Sequence, residues 1–193
     1  VLFNSLGVLS LTLWGLYVVE GWLRGLFIIP FAALLVRVFV LFHDMGHRSL
    51  FSSRRANDTI GTLAGIFLGV AYEGWRSEHN WHHNNQGKLS RRGIDRMNSP
   101  MTTDEAEAKP DDAARRVRTI SPANIFVLGA ISLAVQRKRL QGFFPFRPAF
   151  RWPVNDRELI ERNVLLTQVG YAVLNVLYVA VYGWATWLLV VLP

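Results

Sequence analysis

Three stretches of this chain carry no charge or a single one, and each is of membrane length, which restricts the fold more than any other feature. Val1 to Val19 has no acidic or basic residue, Gly25 to Phe42 is interrupted only by Arg37, and Asn163 to Pro193 is uncharged over 31 residues. Crossing a bilayer core takes ~20 apolar residues in a helix, because hydrocarbon offers no partner to a bare backbone N–H or C=O. The first two runs, joined by "EGWLR" with Trp22 at interface depth, predict a transmembrane hairpin. The third would extend ~46 Å as one helix, so it is read as one full span, a turn near Tyr182 to Trp184, and the start of a return span. No signal peptide is recognisable in Val1 to Val19, which lacks a basic n-region and a small-residue cleavage site. The first residue is not Met and the last lies within an apolar run. The expectation is therefore a single domain over 1–193, the N-terminal part of a longer protein, truncated at both ends.

The net charge of +7 raises the possibility of nucleic acid, and its placement removes it. Of the 21 Lys and Arg, 19 lie between His43 and Arg162, together with 13 of the 14 acids. Basic residues gathered between apolar ends mark a cytoplasmic region by the positive-inside rule, with anionic lipid headgroups as neighbours. Two shorter apolar runs interrupt that region, "TIGTLAGIFLGVAY" at 59–72 and "ISPANIFVLGAISLAVQ" at 120–136, both flanked by basic residues on each side. Their length and flanks predict interfacial or re-entrant segments rather than spans. The acidic piece 101–116, "MTTDEAEAKPDDAARR", predicts a solvated loop or surface helix without chemistry of its own. The fold class expected is all-α: a polytopic helical membrane protein of transmembrane hairpins, interfacial or re-entrant helices and a cytoplasmic histidine region. The chain has no cysteine, which excludes disulfides and thiolate metal sites.

All five histidines fall in two clusters, "HDMGH" at 43–47 and "HNWHH" at 79–83. On helices, His43 and His47 share a face, and so do His79, His82 and His83. Neutral imidazole is a good ligand for iron, zinc or copper, and pairs or triplets at this spacing can hold one ion. A single histidine near headgroups is more often a hydrogen-bonded helix-end residue; five at ligand spacing, with none elsewhere, point to metal. No Glu-x-x-His occurs, so the carboxylate-rich solution of soluble di-iron bundles is excluded. "HDMGH" also resembles the zinc-protease motif H-E-x-x-H, with the shorter Asp44 where the general base should stand, and such a protease has no use for a second triplet. A membrane zinc metalloprotease and a non-enzymatic metal-binding protein are the competing readings.

His43-Asp-Met-Gly-His47 followed by His79-Asn-Trp-His82-His83 resembles the first two histidine boxes of the membrane fatty acid desaturases. "HDMGHRSLFSSRRANDTIGTLAGIFLG" and "EGWRSEHNWHHNNQGKLSRRGID" are similar to the bacterial branch related to the Δ12 acyl desaturases. The resemblance implies two non-haem iron ions, O2 as co-substrate, and electrons from an external donor of the ferredoxin or cytochrome b5 type. It implies an acyl lipid or acyl thioester as substrate, and an enzyme of the bacterial inner membrane with the boxes on the cytoplasmic face. A hydroxylase or other oxygenase on the same scaffold is the second reading, since both reactions begin by removing one hydrogen. His43, His47, His79, His82 and His83 become iron ligands, and Asp44 a partner that could hold an imidazole N–H. Gly46 is expected to permit close packing behind the first box, Trp75 and Trp81 to anchor at the interface or, as the second reading, to border the substrate channel, and Arg37 to snorkel to the headgroups. Met45 and Arg48 depart from that branch, which commonly has Cys and a small residue there. The third box of the family is absent, and a continuation beyond Pro193 is expected to carry it.

Overall fold

The computed structural model describes residues 2–91, 101–114 and 156–188, and every regular element among them is helical. Helix α1 covers Leu2–Val18, a 3-10 helix Gly21–Phe27 leads into α2, Ile28–Gly46, and α3, Arg54–Leu68, is followed by α4, Tyr72–Asn85. The short α5 is Thr103–Ala108, and α6 is Arg157–Tyr182. The segment 120–136 lies outside the described residues. The acidic stretch includes α5, which starts at a capping box: Glu105 N donates to Thr102 Oγ1, and Thr102 N to Glu105 Oε2.

Among the described residues, two helices are long and apolar enough to cross a membrane, Gly21–Gly46 and Arg157–Tyr182, while α1 is apolar but shorter. Their outer faces carry large apolar side chains in the open, including Trp14 at 65%, Ile29 at 80% and Val176 at 68% exposed. So continuous an apolar exterior would be a liability in water and is the normal surface of a protein in lipid. Helix α6 starts in a charged turn, with Asp156 capping Leu159 N and the pairs Arg157–Glu161 and Arg162–Glu158, before its uncharged run begins. It ends at Gly183, whose φ of 83° suits glycine, at the predicted turn.

Helix α2 packs against α1, α3 and α4, and α6 against α3, α4 and α1. At 15 residues α3 is ~22 Å long, too short for a ~30 Å core. The chain turns back at Gly69, in the left-handed region at φ 70°, so α3 and α4 form a helical hairpin whose first arm carries most of the short apolar run 59–72. The turn is drawn tight by Val70 N donating to Gly65 O at 2.8 Å. Glycine also lets α6 come close to α3, since a Cβ at Gly170 would stand 2.7 Å from Ile66.

Buried polar side chains tie the helices where apolar packing alone would let them slide. Asn163 of α6 accepts from Glu73 N at 3.1 Å and donates to Thr62 Oγ1 at 3.2 Å, joining α6 to both arms of the hairpin. Arg24 donates to Val19 O, Tyr182 O and Thr186 Oγ1, fixing the α1–α2 turn to the end of α6. Arg37 does not behave as predicted: its Nε donates to the buried Ser5 Oγ at 2.6 Å, across to α1. A guanidinium within an apolar run finds a partner on the adjacent helix instead of extending alone to the headgroups.

Candidate metal centre

The first histidine pair sits where α2 stops. His47 N bonds to His43 O, Arg48 N to Met45 O at 2.8 Å and Ser49 N to Asp44 O at 3.0 Å, the pattern of a Schellman motif. Its left-handed position is held by Arg48, a non-glycine residue at φ 56°. A bidentate ion pair, Nε to Asp58 Oδ1 and Nη2 to Asp58 Oδ2, both 3.0 Å, pins that residue to α3. The same Asp58 lies 3.3 Å from the hydroxyl of Tyr72, which donates to Met45 O at 2.7 Å. Burial, with the Asp58 carboxylate, pushes the Tyr72 phenol well up, so it stays a donor. Asn57, fully buried, closes the connecting loop by accepting from Phe51 N and donating to Phe51 O and Ser53 O. Met45 and Arg48 thus serve packing: Met45 is buried in the core and Arg48 is bound to α3.

Helix α4 carries the second cluster across from this end. His79 Nε2 lies 3.0 Å from His43 Nε2, 3.1 Å from His47 Nε2 and 3.0 Å from His83 Nε2. The donor atoms of all four rings fall within 4.8 Å of one another. His82 is not among them. Its ring stacks beside His79 at 6.3 Å and meets His83 at 5.5 Å, at the rim of the cluster. Asp44 Oδ1 stands 3.3 Å from His43 Nδ1, behind the converging nitrogens, where a carboxylate orients a ring. Asp44 meets the Nδ1 edge of His43, while that ring joins the cluster through Nε2, so its carboxylate serves the ring and not the point of convergence where a metalloprotease base acts.

Trp75 forms the floor of the cluster. One turn before His79 on α4, its indole stacks flat on that imidazole, centroids 4.4 Å apart and planes 18° apart. It also meets His43 edge-on at 5.8 Å and packs on Phe42 and Phe39. Gly46 is required by this contact: a Cβ there would lie 2.5 Å from Trp75 Cζ3. The i, i+4 spacing of Trp75 and His79 was the signal for this role. The ties at Asp58, Tyr72 and Asn163 had none, because their partners lie 10 to 101 residues away in the chain.

Hydrogen bonding alone cannot satisfy the cluster. An imidazole nitrogen offers one proton or one lone pair, yet His79 Nε2 faces three other nitrogens at bonding distance. A cation at the convergence would take a lone pair from each ring. Nitrogens bound to one ion at ~2.1 Å stand about 3.0 Å apart when cis in an octahedron, close to the spacing seen here. Protonation is disfavoured as well: burial, then the neighbouring His43, His83, His47 and His82, holds His79 down to about 4. Burial, with His43 and His83, also lowers His47, opposed by Asp44. Both rings are therefore neutral at pH 7, the state in which imidazole binds metal.

Comparison with known proteins agrees with this chemistry. The family model described as fatty acid desaturase matches residues 20–193. A fatty acid desaturase of Bacillus subtilis (strain 168) is 29% identical over 164 residues, covering 82% of this chain and 42% of that protein. An sn-1 acyl-lipid omega-3 desaturase (ferredoxin) of Nostoc sp. (strain 36) is 31% identical over 69% of this chain and 36% of its own length. An acyl-lipid omega-3 desaturase (cytochrome b5) of the Arabidopsis thaliana endoplasmic reticulum is 33% identical over 45% of this chain and 22% of its own length. The chain spans less than half the length of these relatives. No solved structure matches it. With two membrane-length helices, four converging imidazoles and a family match over nine-tenths of its length, the chain belongs to the fatty acid desaturase family.

Proposed function

We propose that this chain supplies the first two histidine boxes of a non-haem di-iron centre in an O2-dependent acyl desaturase, with His43, His47, His79, His82 and His83 as iron ligands. The observation that carries the reading is the meeting of four imidazole nitrogens from two helices in a geometry that protons cannot satisfy. The net conversion turns –CH2–CH2– into –CH=CH– and O2 into two waters, with two electrons and two protons supplied from outside. Ferredoxin and cytochrome b5 in the names of relatives mark the two kinds of donor, and acyl lipid the substrate class. Iron held by these histidines supplies the oxidising power that an unactivated C–H bond demands, since such a bond has no acidic proton for a base to take. The residues around the site do the rest. His43, with Asp44 accepting its Nδ1 proton, presents Nε2 in a fixed tautomer. Phe39, Phe42 and Trp75 close the apolar side against water. The concentration of basic residues between His43 and Arg162 supports a cytoplasmic site, in a bacterial case at the inner membrane, reached by a hairpin of α1 and α2 and a re-entrant α3–α4.

The test is lipid analysis of a host expressing the full-length protein. Newly unsaturated acyl chains, lost in His79→Ala and His83→Ala variants that still insert into the membrane, are expected. A hydroxylated acyl product would move the assignment to an oxygenase on the same scaffold, and activity retained in both variants would remove the histidines from the chemistry.

A further inference from the structure

We propose that Trp75 is a positioning residue for the metal ligands, holding His79 of α4 and His43 of α2 in the orientation that makes one site of two helices. The inference rests on the di-iron reading above. A histidine χ2 torsion is broad and roughly two-fold, so without a constraint the ring turns over and carries its donor nitrogen away from the ion. Ligating histidines are normally fixed by a hydrogen bond from the second ring nitrogen. His43 has that bond, to Asp44. Among the described residues, the hydrogen-bond contacts of His79 run through Nε2, and the face of its ring lies on Trp75. His79 is also the ring on which the other three converge, so its orientation decides whether they share a centre.

The flat contact with Trp75 fixes that plane. Offset stacking at 4.4 Å and 18° favours one ring plane, and an indole wedged between Gly46, Phe42 and Phe39 cannot follow if the imidazole turns. With the edge contact to His43 at 5.8 Å, Trp75 touches an imidazole of each cluster. Gly46 belongs to the same device, because any larger residue there would displace the indole.

The test uses full-length protein in nanodiscs, titrated with Co2+ as an optical probe, in wild type, Trp75→Ala, Trp75→Phe and Gly46→Ala. Trp75→Ala should weaken Co2+ binding ~10–100-fold, the effect typical of residues that orient ligands, and should alter the ligand-field bands. Trp75→Phe, which keeps a flat ring, should recover most of the affinity and the wild-type spectrum. Gly46→Ala should reproduce the loss without touching the tryptophan. In the metal-free protein, the His79 ring protons should move downfield in Trp75→Ala as the ring-current shielding disappears. Co2+ binding by wild type with an unchanged affinity and spectrum in Trp75→Ala and Gly46→Ala overturns the role of Trp75 and leaves the metal site standing. Wild-type protein that takes up no Co2+ overturns both. If Trp75→Ala fails to insert, the phenylalanine and Gly46 variants decide by the same spectrum.

Discussion

His79 is the most constrained side chain of the site, with three imidazole nitrogens at its Nε2 and an indole against its face. That crowding sets a pH dependence for the metal-free protein. Its pKa falls from 6.5 to about 4 on folding, so between these values the unfolded chain binds more protons than the native one. Stability contributed by the neutral ring is complete above pH 6.5 and is lost as the pH falls toward 4, with His47 acting in the same direction. Melting of the metal-free protein followed by helicity should show a lower midpoint at pH 5 than at pH 7.5, and His79→Ala should flatten that difference. An equal or higher midpoint at pH 5 in wild type would contradict the crowding. The spacing of His43 with His47 and of His79 with His83 was legible in the sequence because both ends of each pair lie on one helix turn. The divergence of His82 was not, since neighbouring positions on a helix point about 100° apart and only tertiary placement selects among them.

At the scale of the elements, the end of α2 is a loop held by side chains from α3. Arg48 stays at φ 56° because both carboxylate oxygens of Asp58 grip one edge of its guanidinium. Asp58→Ala should therefore cost ~1–3 kcal/mol, the range for breaking a charge-assisted, partly buried hydrogen-bonded pair. Arg48→Gly should cost less, because the glycine that loses the pair also relieves the left-handed backbone. Helicity loss on titration with a denaturing detergent measures both, and a larger loss in Arg48→Gly, which loses the same pair, would show that the glycine relieves no strain at this turn. Asn57→Ala leaves Phe51 N, Phe51 O and Ser53 O without their side-chain partner. It should cost at least as much as Asp58→Ala, at ~1–3 kcal/mol for each buried group left bare, and should fray the loop by hydrogen exchange. Apolar run lengths made α2, the short α3 and the break at Gly183 readable in advance. The tethers were not: Ser5 is 32 residues from Arg37 and Asn163 is 90 from Glu73, and nothing local in the sequence pairs them.

Among the described residues, polar side chains tie the helices to one another and gather at the end of α2 as the histidine site, while α1, α2 and the uncharged run of α6 carry large apolar side chains in the open. The short α3 and the turn at Gly69 carry the chain into the bundle and back, so α4 returns to the end of α2 where His43 and His47 lie. On the proposed topology, reporters fused at Gly87 and Ala106 should both be cytoplasmic. A fusion at Ala106 that appears on the opposite side would break the topology while leaving the four-imidazole geometry untouched. The most direct test of the central claim, that the two clusters form one iron site, is the iron content of purified full-length protein by elemental analysis, compared between wild type and His79→Ala at equal helicity. The account predicts tightly held iron in wild type and a loss of most of it in His79→Ala, because removing the ring on which the others converge takes a ligand from the centre and the registration from the rest. Wild-type iron retained in full by His79→Ala would contradict it.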